Sequence, residues 1–151
     1  MPTESRTKVL FLCTGNSCRS QMAEGWTRRL LGDRIETFSA GVAPTTIDPR
    51  AVRVMQEVDV ELADQRSKHI DELPSLDFDL VVTVCDDARQ ACPRLPGATR
   101  MFHAGFDDPP RLAADTHDEE QALVHYRRVR DEIRSFVEEL PRHLEIATSK
   151  N

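Results

Sequence analysis

The stretch VLFLCTGNSCRS, Val9 to Ser20, runs an unbroken apolar segment into a cysteine, a set of small polar residues and an arginine. A short apolar run stopped by turn-forming residues predicts a buried strand over residues 8–12. Residues 20–31 predict a helix, with Met22, Ala23, Trp26 and Leu30 on its buried face and Gly32 as its stop. Between them, Cys13-Thr14-Gly15-Asn16-Ser17-Cys18-Arg19 has the form C-x-x-x-x-x-R, with Ser20 at the helix start. Such a loop can turn several backbone N–H groups inward and hold a tetrahedral oxyanion at a helix N-terminus. Gly15 and Asn16 tolerate the left-handed backbone this requires. Arg19 supplies a planar fork that binds two oxygens. The same positive potential favours the thiolate of Cys13, and the Ser20 hydroxyl is placed to donate to it. Cys13 is therefore the candidate nucleophile, and Thr14, Gly15, Asn16, Ser17, Cys18, Arg19 and Ser20 the candidate oxyanion-binding residues. C-x-x-x-x-x-R alone is a weak motif, met by any buried cysteine ahead of an arginine. The strand before it and the helix after it carry the functional reading. The Gly-Lys-Ser/Thr element of a nucleotide P-loop is absent.

Working outward, residues 35–41 (IETFSAG) alternate like a second strand. Asp48 and Pro49 open a second helix as cap and first helical residue, with Ala51, Val54, Met55 and Val58 as its buried stripe. Residues 78–84 (FDLVVTV) predict a third strand and residues 99–104 (TRMFHA) a shorter fourth. Residues 118–140 predict a long amphipathic helix carrying Leu123, Val129, Ile133, Phe136 and Leu140, ended or kinked by Pro141. A short helix is expected over residues 86–91. This alternation predicts a single-domain α/β fold over residues 1–151, an open, mostly parallel four-stranded sheet with helices on both faces. In such sheets ligands sit at the carboxyl ends of the strands, near a topological switch point. Cys13 follows the first strand, Cys85 the third, and Asp107 and Asp108 the fourth, so parallel strands bring all of them to one edge.

The chain has 151 residues, enough for one core without a disulfide or metal. Its net charge of −6 argues against a general binder of nucleic acid or anionic membranes. No apolar run approaches a membrane span, and MPTESRTK has no apolar signal region, so the expected location is the cytoplasm. The four cysteines, Cys13, Cys18, Cys85 and Cys92, do not form the C-x-x-C pairs of a zinc site, and the histidines are scattered. No metal and no cofactor is expected, and the chain is expected to act as a monomer. In a reducing compartment these thiols are expected to be reduced and chemical rather than structural.

VLFLCTGNSCRSQMAEG resembles the low-molecular-weight protein tyrosine phosphatase family, and FDDPP, with Asp108 before Pro109, is similar to that family's Asp-Pro general-acid motif. The resemblance runs from about Lys8 to Leu140. More narrowly, VCDDARQACP and HAGFDDP resemble the arsenate reductases built on this fold, in the branch coupled to thioredoxin. The resemblance implies that Cys13 attacks arsenate, that Asp108 protonates the leaving hydroxide, and that Cys85 and then Cys92 carry a thiol-disulfide relay recharged by thioredoxin. A glutaredoxin or another thiol is an open alternative donor. An aspartate here also fits a helix cap or a turn, as Asp107 does. Cys18 is assigned no redox role. Some relatives of this branch bind potassium beside the loop. Here Lys68 stands near the corresponding place, and its ammonium is expected to replace the cation, the alternative being a solvated surface charge. The family's phosphatases carry tyrosines after Asp-Pro, whereas DDPPRL has none, and Trp26, Phe102 and Phe106 are assigned to the core. In a helix, Cys85 and Cys92 would stand roughly 10 Å apart along the axis, beyond the reach of about 4.4–6.8 Å that a disulfide tolerates. Oxidation is therefore expected to unwind the segment between them.

Two other readings stand beside this one. A tyrosine phosphatase would use the same loop, since phosphate and arsenate share shape and charge, but would need no second thiol. A non-enzymatic oxyanion or redox sensor would oxidise stoichiometrically without turning over.

Overall fold

The computed structural model describes residues 6–75, 77–84 and 100–148. Four strands form one sheet: β1 (Thr7–Cys13), β2 (Ile35–Gly41), β3 (Leu80–Thr83) and β4 (Met101–His103). Their order is β2-β1-β3-β4 and every pairing is parallel, with Cys13 opposite Gly41 and Leu12 opposite Thr83. Val9, Leu10, Phe11 and Leu12 are all fully buried. Successive strand side chains point to opposite faces, so both faces of β1 are covered. The chain moves from β1 to β2 on one side and returns past β1 to β3 on the other. That reversal puts the switch point at the carboxyl end of β1.

The helices are α1 (Arg19–Leu31), α2 (Pro49–Gln56), α3 (Pro109–Ala113), α4 (Glu119–Glu138) and α5 (Leu140–Thr148), with a 3-10 turn at Ile70–Glu72. Asp48 caps α2 by accepting from the Arg50 N–H, and Asp118 caps α4 by accepting from the Gln121 N–H. Each satisfies one of the N–H groups left over at a helix start. The stripe expected on α4 is buried at Leu123, Val129 and Ile133. α4 ends at Glu138, two residues short of the expected Leu140, and Leu140 and Pro141 open α5, a helix the sequence reading did not include. Proline fits there because the first turn of a helix has no use for its missing N–H.

Two expectations are corrected. The start of α1 is not buried on one face alone: Ser20, Gln21, Glu24 and Thr27 are buried along with Met22, Ala23 and Trp26, whereas Leu30 is only partly so. Periodicity predicts one apolar face, but Ser20 and Gln21 are enclosed by bonds to the loop before the helix, Glu24 by a bond from Ser39 of β2, and Thr27 donates to the Ala23 carbonyl of its own helix. Phe102 is not core. It lies exposed on the edge strand β4, stacked against Phe136 and His143. Phe106 is partly buried against the core and also borders the cleft described below, while Trp26 is buried and donates to the Arg130 carbonyl. Cys85, Cys92 and the helix expected over residues 86–91 lie outside the described residues.

Candidate oxyanion site

Residues 13–19 leave the carboxyl end of β1 and enter α1. Four carbonyls of this loop accept hydrogen bonds from residues outside it. Thr14 O accepts from the Ala43 N–H, Gly15 O from the Thr45 N–H and Ser17 O from the Asp48 N–H, at 2.9, 3.0 and 2.9 Å. Asn16 O accepts from Gln21 Nε2 and from the Ser67 hydroxyl. In a trans peptide the carbonyl and the following N–H point in opposite directions. Four carbonyls facing outward therefore turn the N–H groups of Gly15, Asn16, Ser17 and Cys18 toward the concave side. The Asn16 N–H accordingly lies 3.2 Å from Cys13 Sγ. Asn16 has φ 50°, the left-handed backbone anticipated for it, and is fully buried. Gly41, opposite Cys13, is required by space: a Cβ there would stand 2.4 Å from Thr14 O and 3.0 Å from Asn16 N.

Cys13 is 5 % exposed, and its Sγ is 2.9 Å from Ser20 Oγ. The direction of that bond follows from its neighbours. Asn16 Oδ1 accepts from the Lys68 N–H, so the Asn16 amide nitrogen faces the other way and donates to Ser20 Oγ at 2.8 Å and Ser39 Oγ at 3.0 Å. Ser39 in turn donates to Glu24 Oε1, and Glu24 pairs with Arg28. Ser20 Oγ, already an acceptor, is left with its proton directed at Cys13. The network thus aims two donors, the Ser20 hydroxyl and the Asn16 N–H, at the sulfur, and donors to an anionic atom favour its anionic form.

Lys68 Nζ donates to the carbonyls of Ser39 and Arg66 at 3.0 and 2.9 Å. It is half-buried beside the network rather than a solvated surface charge. Burial, with Arg66 and Arg28 nearby, lowers its pKa, while the Glu24 carboxylate opposes that shift. Among the described residues, no group of three His, Cys, Asp or Glu side chains is placed to hold a metal ion, and no helix is long and apolar enough to cross a membrane.

The loop opens into a cleft of about 690 Å³ whose walls include Thr14, Gly15, Ser17, Arg19 and Thr45 on one side and Phe106, Asp108 and Arg111 on the other. Arg19 bridges the two. One guanidinium nitrogen donates to the Phe106 carbonyl at 2.9 Å, and the other is 3.5 Å from Asp108 Oδ1. Asp108 stands at the start of α3 without making a side-chain capping bond. Its neighbour Asp107 instead pairs with Arg128 at 2.9 Å, away from Arg19. The two adjacent aspartates thus have different surroundings. Cys18 is buried at the start of α1. Burial, together with Asp48 and Asp108, pushes its thiol pKa well up, although Arg19 acts in the opposite sense. A thiol held protonated is a poor nucleophile. Cys13, Arg19, Ser20 and Asp108 are brought together as expected. The sequence reading missed Gly41, the outer segment 43–48, Gln21, Glu24 and Ser67, whose contributions are long-range contacts with no local motif.

A cysteine at the switch point of a parallel sheet, beneath a ring of inward N–H groups and ahead of an arginine, defines a cysteine-based oxyanion site. The chain belongs to the low molecular weight phosphotyrosine protein phosphatase family, whose pattern it matches over residues 8–150. It is 47% identical over 131 residues to an arsenate reductase of Bacillus subtilis, covering 87% of this chain and 92% of that one. It is likewise 47% identical over 125 residues to an arsenate reductase of Halalkalibacterium halodurans, covering 83% and 88% of the two chains. Among solved structures, it superposes on an arsenate reductase in the phosphate binding state with a TM-score of 0.73 at 31% identity, covering 91% of this chain and 98% of the other.

Proposed function

We propose that this chain reduces arsenate to arsenite through a thiol-disulfide relay that starts at Cys13. The observation that carries the proposal is the placement of Cys13 Sγ under the Asn16 N–H and the Ser20 hydroxyl, at the mouth of a loop whose N–H groups converge. The named relatives favour arsenate as the oxyanion.

In the first step the Cys13 thiolate attacks arsenic, an S–As bond forms, and hydroxide leaves as water with a proton from Asp108. The loop N–H groups and Arg19 hold the remaining oxygens. Cys85 then attacks Cys13 Sγ. An S–S bond forms, the S–As bond breaks, and its electron pair stays on arsenic, which leaves as arsenite. Cys92 attacks the Cys85 sulfur and releases Cys13 as thiolate. A dithiol donor reduces the Cys85–Cys92 disulfide, with thioredoxin the favoured donor because the disulfide is intramolecular. The relay requires a reducing compartment, which favours the cytoplasm. Val84, immediately before Cys85, donates its N–H to the carbonyl of Leu12, immediately before Cys13, at 3.0 Å. The end of β3 therefore lies beside the end of β1 that carries Cys13. Lys68 supplies the positive charge beside Asn16 and Ser39 that a bound potassium ion would otherwise bring.

Arsenate-dependent NADPH oxidation tests the proposal. It is expected with thioredoxin and its reductase and not with glutathione and glutaredoxin. Turnover with glutaredoxin alone would replace the donor, and no turnover with either would leave hydrolysis as the activity.

Asp108→Asn is expected to slow the first chemical step by about 100- to 10,000-fold on an aryl phosphate with a poor leaving group, the range general acids contribute. Asp107→Asn is expected to change it only a few-fold, because Asp107 is engaged with Arg128. Single-turnover kinetics make the comparison, and equal small effects would assign the proton to another group.

A further inference from the structure

We propose that Tyr126 is a positioning residue for the oxyanion loop, acting through Asp48; the inference rests on the reading of that loop as the oxyanion site. Tyr126 lies in α4, far from the loop in sequence, and is buried. Its hydroxyl donates to Asp48 Oδ2 at 2.5 Å. The other carboxylate oxygen of Asp48 accepts from the Arg50 N–H at the start of α2, and the Asp48 N–H donates to the Ser17 carbonyl. Asp48 thus ties three elements together: the loop, α2 and α4. It is also the last of the three residues, after Ala43 and Thr45, whose N–H groups hold the loop carbonyls outward. Outward carbonyls are what turn the loop N–H groups inward, so the anchoring of segment 43–48 sets the alignment of the anion donors.

The tie has an electrostatic side. Asp48 is close enough to the loop for its charge to help raise the Cys18 pKa, and a carboxylate near an anion site opposes anion binding. The Tyr126 hydroxyl and the Arg50 N–H at the start of α2 each hold one oxygen of that carboxylate. Burial and the Asp48 carboxylate raise the Tyr126 pKa strongly, so the phenol remains a donor across the pH range in which the enzyme works. Tyr126 also lies under Arg50, 6.0 Å from the ring centroid, and Arg50 pairs with Glu119. Loss of the hydroxyl leaves the ring beneath Arg50 and the Arg50–Glu119 pair, but removes the polar contact of the hydroxyl with Arg50 and the donor to one carboxylate oxygen of Asp48.

The test is binding of inorganic phosphate to the full chain, measured calorimetrically for Tyr126→Phe, for Asp48→Ser, for the double variant, and for Val129→Ala as a buried control on the same helix. Serine keeps the helix cap but is too short to reach Tyr126. Tyr126→Phe is expected to weaken phosphate binding roughly five-fold or more, the scale of one lost hydrogen bond. In steady-state hydrolysis of an aryl phosphate its KM is expected to rise more than its kcat falls. Val129→Ala is expected to lower the melting temperature without changing the phosphate dissociation constant. The two changes at Asp48 and Tyr126 are expected to be non-additive, because each removes the same link. Phosphate affinity within two-fold of wild type in Tyr126→Phe, an equal loss in Val129→Ala, or strict additivity would each overturn the positioning role. Failure of the wild-type chain to bind phosphate at all would overturn the reading of the loop itself, and the positioning role with it.

Discussion

Cys13→Ser is expected to abolish arsenate reduction and aryl phosphate hydrolysis together, each by at least about 10,000-fold. Both reactions begin with the same sulfur attacking a tetrahedral centre, and a serine hydroxyl has no comparable anionic fraction at neutral pH. The loop contains no general base to activate it. Ser20, the nearest partner, has its proton directed at position 13 and its oxygen already engaged by Asn16 Nδ2. Serine is close to cysteine in size, so the fold and the inward N–H groups are expected to persist. Phosphate binding should accordingly be retained or tightened, since the anionic sulfur that repels the ligand is gone. Calorimetric titration with phosphate and rate assays on the same preparation separate the two effects. Residual reduction above a few per cent of wild type would move the nucleophile elsewhere.

Arg19→Lys is expected to lower kcat/KM for an aryl phosphate by about 100- to 1,000-fold, the range found when one preorganised oxyanion donor is removed. The charge is kept in this substitution and the geometry is lost. In the structure the guanidinium reaches Phe106 O with one nitrogen while the other faces Asp108, so it fixes the cleft wall that carries the proposed general acid. An ammonium is a single point of donation and cannot serve the wall and two ligand oxygens at once. Both substrate affinity and the rate at saturation should therefore suffer. Kinetics within ten-fold of wild type would remove Arg19 from the site.

Much of this arrangement was legible locally. An apolar run ending in Cys13, the polar loop and the onset of α1 are consecutive in the chain, and the parallel topology follows from the alternation of strands and helices. What could not be read lies in contacts across the fold. Nothing in APTTID marks residues 43–48 as the outer brace of the loop, and only the pairing of β1 with β2 shows why Gly41 must lack a side chain. Ser20, Gln21 and Glu24 look like the solvated side of a helix, and it is their bonds to loop and β2 that explain their burial. Asp108 is marked in the sequence by its place before Pro109, but only the fold shows that Asp107 is engaged by Arg128 and that Asp108 faces Arg19. Phe102 was misplaced because an apolar residue in a strand fits a core position equally well as an edge one covered by Phe136 and His143.

The most direct test of the relay is a single turnover without any external reductant. Fully reduced protein is mixed with excess arsenate, arsenite is quantified, and the disulfide is mapped by mass spectrometry after thiol trapping. One arsenite per chain, a Cys85–Cys92 disulfide and Cys13 recovered as a thiol are expected. Cys92→Ser should still release one arsenite and stop with Cys13 joined to Cys85. An absence of arsenite, with aryl phosphate hydrolysis intact and all the cysteines still reduced, would contradict the account and leave the chain a phosphatase.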